Sequence, residues 1–477
     1  MSLIAEKNLK IMVKQINIFR NALLTSFFVL MAMYLVCIYS SLGSLPRLPF
    51  LLFSIVISLC YLLLYRSNSL FCFESFFLFI YILSTFFNEI VIENLPDSSV
   101  VSAAFFNTSF SSNIENKGLL LDTICLVSFL LSSVNVNEKP LNGLTRNGFL
   151  INRNLTPSIY ILSLFIGVYI LYLWRSGVIS TWFQYVQDIA NYSNTEIVFL
   201  TMMFLALTSL EFSRLSGVKC RSMSDFFKEV NKLYLFEILF ISFLLLISGN
   251  RNECLLIILP MLICYHIFIK PFDNKQFIIV LIVGVVLMAA IGLTRQTGSF
   301  SSLDKDAISI YEVTRDFASV DNNTKYLIDY TDRSSPVGIK NAMLCLFSSV
   351  PFLGGLITSV TGLENDTRTT ELTTQGMQVS SNMDSGLGTS LLGDLYYTGG
   401  GIFAISFMYL FGFLIAILYR RFTLEKKYSI WYLVVYLFMF SNVIYVLRAE
   451  WTMPFRYIGF SFVIIIALRI FQPIKKY

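Results

Sequence analysis

The sequence carries little charge and a single histidine. Charged residues make up 14% of the 477 positions, whereas soluble globular proteins carry about 25%. Hydrophobic residues account for 56% of the chain and aromatic residues for 16%. These proportions exclude a soluble globule and indicate an all-α polytopic membrane protein.

The sequence lacks the motifs of several common catalytic and metal sites. It contains no CxxC, HExxH, GxxxxGK[ST] or nucleophile-elbow motif, and its histidine, His266, lies in an apolar run. Zinc sites and Ser-His-Asp triads need such residues, so we expect neither a metal nor another cofactor. The eight cysteines are scattered through apolar stretches and are typical of small packing residues. The sequence has no basic patch interleaved with aromatic residues, so we do not expect nucleic acid as a partner.

Apolar runs predict how often the chain crosses the bilayer. At about twenty apolar residues per crossing, we predict about 12 transmembrane helices. They occupy residues 21–43, 48–65, 70–92, 118–134, 157–174, 194–213, 233–248, 254–269, 277–293, 402–419, 429–447 and 457–470. The first twenty residues lack a short apolar core followed by a small-residue cleavage site, so we expect no cleaved signal peptide.

Lysine and arginine predict the orientation, because basic loops tend to stay in the cytoplasm. With the amino terminus inside, 22 of the 35 basic residues lie in cytoplasmic segments, six in short outer loops and seven in one long outer loop. Reversing the topology would invert that ratio. We therefore predict that both termini are cytoplasmic.

The long outer loop, residues 294–401, divides the chain. Nine predicted helices precede it in residues 1–293, and three follow it in residues 402–477. A connection of this length in a compact membrane protein is usually functional. The sequence therefore predicts three parts: two groups of transmembrane helices and the long outer loop between them.

Two segments of the loop have predicted structure. The stretch "SLDKDAISIYEVTRDFASVDNNTKYLIDY" has apolar residues near helical spacing, which predicts an amphipathic helix. These residues are Ile308, Tyr311, Val313, Phe317 and Val320. Residues 342–360 are apolar but are interrupted by Pro351 and Gly354–Gly355, which favours a re-entrant or interfacial segment over a span.

Arginines recur at the predicted outer ends of helices. Arg251 precedes helix eight, Arg295 follows helix nine, Arg448 follows helix eleven, and Arg456 precedes helix twelve. Ionisable groups at membrane depth are costly, and guanidinium suits bidentate recognition of phosphate oxygens. If these arginines converge on one cavity, they form an outward-facing anion site. The alternative is that each one snorkels or pairs with a neighbouring carboxylate, as Arg251 would with Glu253.

Two stretches resemble a known family. "LLISGNRNECLLIILPML" resembles the turn with a small residue and an arginine between consecutive helices of the O-antigen polymerase family, the Wzy-type polymerases of polyprenyl-linked oligosaccharides. "GLGTSLLGDLYYTGGGIFAISF" resembles that family's stretch after the long loop. The number of helices, the cytoplasmic termini and the single large outer loop are also similar. At the residue level the resemblance is confined to the two stretches.

The resemblance implies an enzyme of lipopolysaccharide biosynthesis in the bacterial inner (cytoplasmic) membrane, with its active site facing the periplasm. Such a glycosyltransferase joins repeat units carried on undecaprenyl pyrophosphate. It transfers the growing chain from its lipid carrier to the non-reducing end of the next lipid-linked unit. The implied partners are undecaprenyl-pyrophosphate-linked oligosaccharides, the lipid bilayer and, as a further candidate, a chain-length regulator protein.

The resemblance also implies roles for the charged residues. The leaving group is a lipid pyrophosphate, and its developing negative charge needs fixed cations. By that logic Arg251, Arg295 and Arg448 hold the pyrophosphate without a metal, and Arg456 and Tyr396 are further candidates. The Tyr396–Tyr397 pair is equally typical of an interfacial aromatic belt.

A carboxylate would act as the base for the acceptor hydroxyl. The candidates, in order, are Asp394, Glu450 and Glu253.

Three other classes of protein remain open. A lipid-linked oligosaccharide flippase would have a similar number of helices, but it would have short loops and a repeated half. The O-antigen ligases share the fold in outline, and the resemblance implies that they use an outward-facing histidine, whereas His266 lies toward the cytoplasmic end of its helix. A scaffold membrane protein would not require arginines at one depth.

Overall fold

The fold is built from α-helices. The computed structural model describes residues 3–40, 43–66, 70–91, 110–137, 154–179, 195–216, 223–247, 251–279, 317–336, 388–424 and 429–472, with a few isolated positions between 282 and 373. Within those residues the chain forms helices and turns and no strand. The all-α class predicted from composition is thereby confirmed.

Most of the described helices overlap apolar runs of the sequence. The first part of the chain forms α1 (Leu3–Tyr39), α2 (Arg47–Tyr65), α3 (Phe73–Thr85), α4 (Phe87–Ile90), α5 (Ser112–Asn137), α6 (Thr156–Arg175) and α7 (Thr195–Leu215). The second part forms α8 (Met223–Glu229), α9 (Lys232–Ile247), α10 (Arg251–Cys264), α11 (Ala318–Ser334), α12 (Leu391–Tyr419), α13 (Ile430–Ser441) and α14 (Met453–Leu468). Short π-helical turns extend α10 and α12.

Seven described segments are long and apolar enough to cross a membrane. They are Lys14–Tyr39, Arg47–Tyr65, Ser112–Val136, Thr156–Arg175, Glu196–Leu215, Leu391–Phe422 and Met453–Phe471. Shorter apolar helices lie at Phe73–Thr85, Glu253–Ile269 and Ile430–Ser441. The chain is therefore a multi-pass membrane protein, while the number of twelve crossings and the cytoplasmic termini stay predictions. Most of predicted helix nine, beyond residue 279, lies outside the described residues.

The centre of the bundle is the contact between α5 and α12. In α5, 94% of the most apolar window is buried, compared with 22% in α1. A Cβ at Gly412 would overlap the carbonyl oxygen of Phe129, so the two backbones approach closely. The hydroxyl of Ser133 donates to the carbonyl of Gly412 at 3.2 Å. Helix α1, in contrast, presents most of its apolar surface outward.

Helix α12 begins earlier than the sequence predicts and contains a kink. It starts at Leu391 rather than at residue 402, and its helical geometry is interrupted at Gly399 and Gly400. Gly400 has φ +75° and ψ −174°, a region that essentially only glycine adopts. From the sequence, these glycines were expected to mark the start of a helix. In the structure they lie at a bend between two helical pieces.

Helix α11 packs against the bundle with one face, although it belongs to the long loop. It overlaps the end of the segment predicted to be amphipathic, and residues 308–316 lie outside the described residues. Its Asp332 pairs with Lys117 near the start of α5, whereas its Asp321 shares a cavity with Asp122, deeper along α5. Helix α11 therefore enters the bundle with its amino-terminal end innermost. The segment 342–360, apart from isolated positions, lies outside the described residues.

Candidate functional site

The amino-terminal turn of α12 carries Asp394. Ser390 is extended just before the helix, and its hydroxyl accepts a hydrogen bond from the backbone N–H of Gly393 at 3.3 Å. A serine in this position satisfies a backbone donor of the first turn. The cap therefore fixes where α12 begins, and it leaves Asp394 in the turn where the helix dipole favours negative charge.

Asp394 is buried and joins three segments of the chain. Its Oδ1 accepts a hydrogen bond from the hydroxyl of Thr369 at 2.9 Å, and its Oδ2 accepts one from the backbone N–H of Trp451 at 2.8 Å. The indole Nε1 of Trp451 donates to the hydroxyl of Thr398 at 3.2 Å, one turn further along α12. The carboxylate thus holds the segment before α14 against the start of α12.

The segment between α13 and α14 carries Arg448 and Glu450. It forms a 3-10 turn over Val446–Arg448, and both charged residues are half-buried. Arg448 lies over Gly388, where φ is +72° and a Cβ would stand 3.8 Å from Nη2 and 3.9 Å from Nε. Glycine tolerates this backbone conformation and leaves room for the guanidinium. Both charged residues therefore lie beside the start of α12.

The starts of α10 and α14 also carry residues predicted for the site. Arg251 is the first residue of α10, but its side chain lies outside the described part of the chain. Glu253, in the same turn, is buried, and Arg456, in the first turn of α14, is exposed. Tyr457 is buried within electrostatic reach of both Glu253 and Arg456. Glu253, in the first turn of α10, is therefore close to Tyr457 in the first turns of α14.

Tyr396 follows Asp394 on α12 but contacts different elements. Its hydroxyl donates to Oδ1 of Asp332 in α11 at 2.7 Å. The other oxygen of Asp332 accepts from Nζ of Lys117 in α5 at 2.6 Å. Tyr396 is therefore part of a bridge that joins α12, α11 and α5.

The structure brings some of the predicted site residues together. Asp394 accepts a hydrogen bond from Trp451, which follows Glu450 in the chain, and Arg448 lies over Gly388 just before α12. Arg295 lies outside the described residues. The roles of the eight residues named from the sequence stay predictions.

A buried charge cluster behind this site was not predicted from the sequence. Arg47, at the start of α2, pairs with Glu89 and donates from Nη2 to Oδ2 of Asp321 at 3.0 Å. Lys325, one turn further along α11, donates to the same oxygen at 2.9 Å. Asp321 and Lys325 are both buried. The cluster therefore ties α11 to α2 and α4 by ionic contacts.

The two cations set the charge state of Asp321. Burial opposes ionisation of this carboxyl, but the charges and hydrogen bonds of Lys325 and Arg47 outweigh it and hold the pKa of Asp321 below its ordinary value. Asp321 is therefore a carboxylate at neutral pH. Its negative charge stabilises the buried Lys325 and, together with Glu89, the half-buried Arg47.

A small cavity connects this cluster to the start of α12. It has a volume of about 10 Å³ and is lined in part by Asp122, Asp321, Thr324 and Ser390. The hydroxyls of Thr324 and Ser390 are hydrogen-bonded to each other, and the cavity has room for one water molecule. Among the described residues, the Oδ1 atoms of Asp122 and Asp321 have no hydrogen-bond partner. The sequence feature that could have indicated this cluster is Asp122, because a carboxylate inside an apolar helix is unusual.

This arrangement can bind an anion and act on a hydroxyl group. Helix amino termini attract anions, and a guanidinium binds phosphate oxygens in pairs. A carboxylate beside them can accept a proton. Within the described ranges, no three His, Cys, Asp or Glu side chains are grouped so that they could hold a metal ion.

Comparison with known proteins assigns the chain to one family. Residues 22–477 match the sequence profile of the family described as O-antigen polysaccharide polymerase Wzy. No curated protein and no solved structure matches the chain. The family match covers nearly the whole chain, including every described element that forms the site.

Proposed function

The chain belongs to the O-antigen polysaccharide polymerase Wzy family, and from this premise we propose that it polymerises undecaprenyl-pyrophosphate-linked repeat units on the periplasmic face of the bacterial inner membrane. In each cycle an acceptor hydroxyl of one lipid-linked unit attacks the anomeric carbon of the growing chain. A glycosidic bond forms, the bond from that carbon to the pyrophosphate breaks, and the hydroxyl proton passes to a carboxylate. The lipid pyrophosphate leaves.

The observation that carries the proposal is the position of Arg448. Its guanidinium lies over Gly388, beside the capped start of α12, and Glu450 is two residues further along the chain. A cation fixed beside a helix amino terminus is suited to stabilise the negative charge that develops on a departing pyrophosphate. Arg251, at the start of α10, is the second candidate for this role.

The hydrogen bonds of Asp394 bear on which carboxylate acts as the base. Both of its oxygens accept hydrogen bonds within the fold, and the residue is buried. Glu450 is half-buried, and its neighbour in the chain is the Trp451 that Asp394 holds. We therefore favour Glu450 as the base and Asp394 as the residue that positions it.

The test is the length distribution of polymer made by arginine variants. Removal of one fixed cation is expected to raise the barrier by about 2 to 4 kcal/mol, so Arg448→Ala and Arg251→Ala should lower polymerisation by about two to three orders of magnitude. Lysine keeps the charge but loses the planar fork, so Arg448→Lys should recover part of the activity. The matched control is Arg175→Ala, an exposed arginine at the end of α6.

The amount of membrane-inserted protein is measured alongside the polymer. Near-normal polymer ladders at normal protein levels would refute the phosphate role of Arg448. If Arg251 only pairs with Glu253, Glu253→Ala should be as harmful as Arg251→Ala, and the protein should be lost together with the polymer. Deletion of the gene should leave lipopolysaccharide core with one repeat unit, whereas core alone would indicate a flippase.

A further inference from the structure

Helix α11 has two faces of different composition. One face, which includes Asp321, Thr324 and Lys325, is buried against the bundle. The other face carries Tyr326, Asp329, Tyr330 and Arg333. These four positions are spaced i, i+3, i+4 and i+7, so they lie on one side of the helix. They are half-buried or exposed, so this side of α11 remains accessible in the folded protein.

Three tyrosines form a continuous row on this accessible side. The ring centroids of Tyr326 and Tyr330 are 6.4 Å apart with an interplanar angle of 27°. The ring of Tyr397, from α12, lies 6.1 Å from that of Tyr330. The row therefore crosses from one helix to the other, and we call Tyr326, Tyr330 and Tyr397 the tyrosine strip.

Hydrogen-bonded and ionic groups lie next to the strip. Behind it, Tyr396 donates to Asp332, which also pairs with Lys117. Beside it, Arg333 pairs with Asp329 at 2.6 Å, and the guanidinium side chain is 78% exposed. The strip thus combines partly exposed aromatic rings with a carboxylate and a guanidinium within one turn of helix.

This combination matches the chemistry of a saccharide. One face of a pyranose ring is a patch of C–H groups that packs on the electron-rich face of an aromatic ring. The hydroxyls at its edge pair with planar polar groups such as carboxylate and guanidinium. Tyrosine adds large contact area at low conformational cost. A row of rings suits a ligand of several sugar units better than a single one.

We propose that the tyrosine strip binds the oligosaccharide of the lipid-linked repeat unit. This inference rests on the proposed polymerase function, because a polysaccharide polymerase must hold sugars next to the bond that it forms. Tyr397 follows Asp394 by three residues on α12, a rise of about 4.5 Å. The strip therefore leads away from the site around Asp394 and Arg448, in position to hold sugar units beyond the reacting one.

The experiment uses the full chain in lipid nanodiscs and two probes from one source. The first probe is the lipid-linked repeat unit extracted from a host strain that lacks its polymerase, and the second is the oligosaccharide released from it by mild acid. The variants are Tyr330→Ala, Tyr326→Ala and the aromatic replacement Tyr330→Trp. The matched control is Tyr172→Ala on α6, where Tyr169 and Tyr172 form a similar ring pair at 6.3 Å on an exposed face.

The expected result is a change in binding rather than in chemistry. Tyr330→Ala should raise the half-saturating concentration of the lipid-linked unit about tenfold, with little change in kcat, because stacking is present before and during the reaction. Binding of the released oligosaccharide, measured by saturation-transfer NMR, should weaken by the same factor. Tyr330→Trp and Tyr172→Ala should behave as wild type. Should Tyr330→Ala fail to accumulate in the membrane, Tyr326→Ala tests the other end of the strip.

The two measurements separate this inference from the proposed function. Polymerisation by wild type with no dependence on the tyrosines would overturn the inference and leave the polymerase proposal standing. Tyrosine-dependent binding of the oligosaccharide without polymerisation would retain the inference and end the proposed function. A defect that appears only in cells, while the purified variants are normal, would also overturn the inference and indicate a protein partner at this face.

Discussion

Both carboxylate oxygens of Asp394 accept hydrogen bonds, one from Thr369 and one from Trp451. Removal of the carboxylate leaves the buried backbone N–H of Trp451 without its acceptor, which costs about 1 to 3 kcal/mol. Asp394→Ala should therefore lower the melting temperature and polymerisation together. Asp394→Asn keeps one oxygen for Trp451 and should retain most of the stability.

Glu450→Gln is the informative comparison, because it removes a proton acceptor without changing the shape of a half-buried side chain. We expect its melting temperature to match wild type while polymerisation falls by about two to four orders of magnitude. The measurements are a melting curve in detergent and the polymer ladder. A Glu450→Gln protein that polymerises normally would exclude this residue as the base.

The charge cluster around Asp321 makes a prediction about acid. The folded-state pKa of Asp321 is depressed below its ordinary value, so its contribution to stability is full above that ordinary value, near pH 4, and is lost as the pH falls further. Asp321→Asn should lower the melting temperature at pH 7. The difference from wild type should shrink below about pH 4. A difference that stays constant down to pH 3 would contradict the ionic role of Asp321.

At the residue scale the sequence indicated which charged residues to consider, but it did not predict which residues they contact. Arg448 and Asp394 could be chosen because ionisable residues near apolar runs are unusual. The hydrogen bond between Asp394 and Trp451 could not be predicted, because these residues are far apart in the chain and only the folded bundle brings them together. Asp321 and Lys325 were missed because polar residues in a long loop look solvated until their ion pairs with other helices are known.

At the scale of the element, the kink in α12 controls how the first turn of that helix is directed. Gly400 has φ +75° and ψ −174°, and a Cβ there would meet nothing within 4 Å. The obstacle to a side chain is therefore backbone strain alone, of the order of 1 to 3 kcal/mol. Gly400→Ala should lower both stability and polymerisation, because the turn that carries Asp394 would be redirected.

The control for this prediction is Gly43→Ala. Gly43 also has open space around it, but its φ is not in the left-handed region. Its substitution should leave melting temperature and polymer length unchanged. If both alanine variants behave alike, the kink at Gly400 is not under strain and the prediction is wrong.

Apolar length predicted the bounds of some unbroken helices closely and those of broken elements poorly. Helix α6 begins at Thr156 and ends at Arg175, close to the predicted 157–174. Helix α12 begins at Leu391 because Ser390 caps it, and the predicted start at residue 402 reflects the glycines that interrupt it. A cap and a kink are local backbone events, and hydropathy does not record them.

At the scale of the whole molecule, orientation is testable by labelling. The asymmetry of lysine and arginine predicts that residues 180 and 374 face outward and residue 222 faces the cytoplasm. In a cysteine-free background, Ser180→Cys and Thr374→Cys should react with an impermeant maleimide in intact spheroplasts, and Ser222→Cys should react only after lysis. Labelling of Ser222→Cys alone in intact cells would overturn the predicted topology.

The contact between α2 and α11 cannot form until α11 has been synthesised. Arg47 and Asp321 are 274 residues apart in the chain. At roughly 5 to 20 residues per second, the ribosome finishes Asp321 about 14 to 55 seconds after Arg47. Through that interval Arg47 can pair with Glu89 but lacks the carboxylate of Asp321. A nascent chain that stalls before residue 317 therefore holds Arg47 with only part of its ionic contacts, and the arrival of α11 completes them.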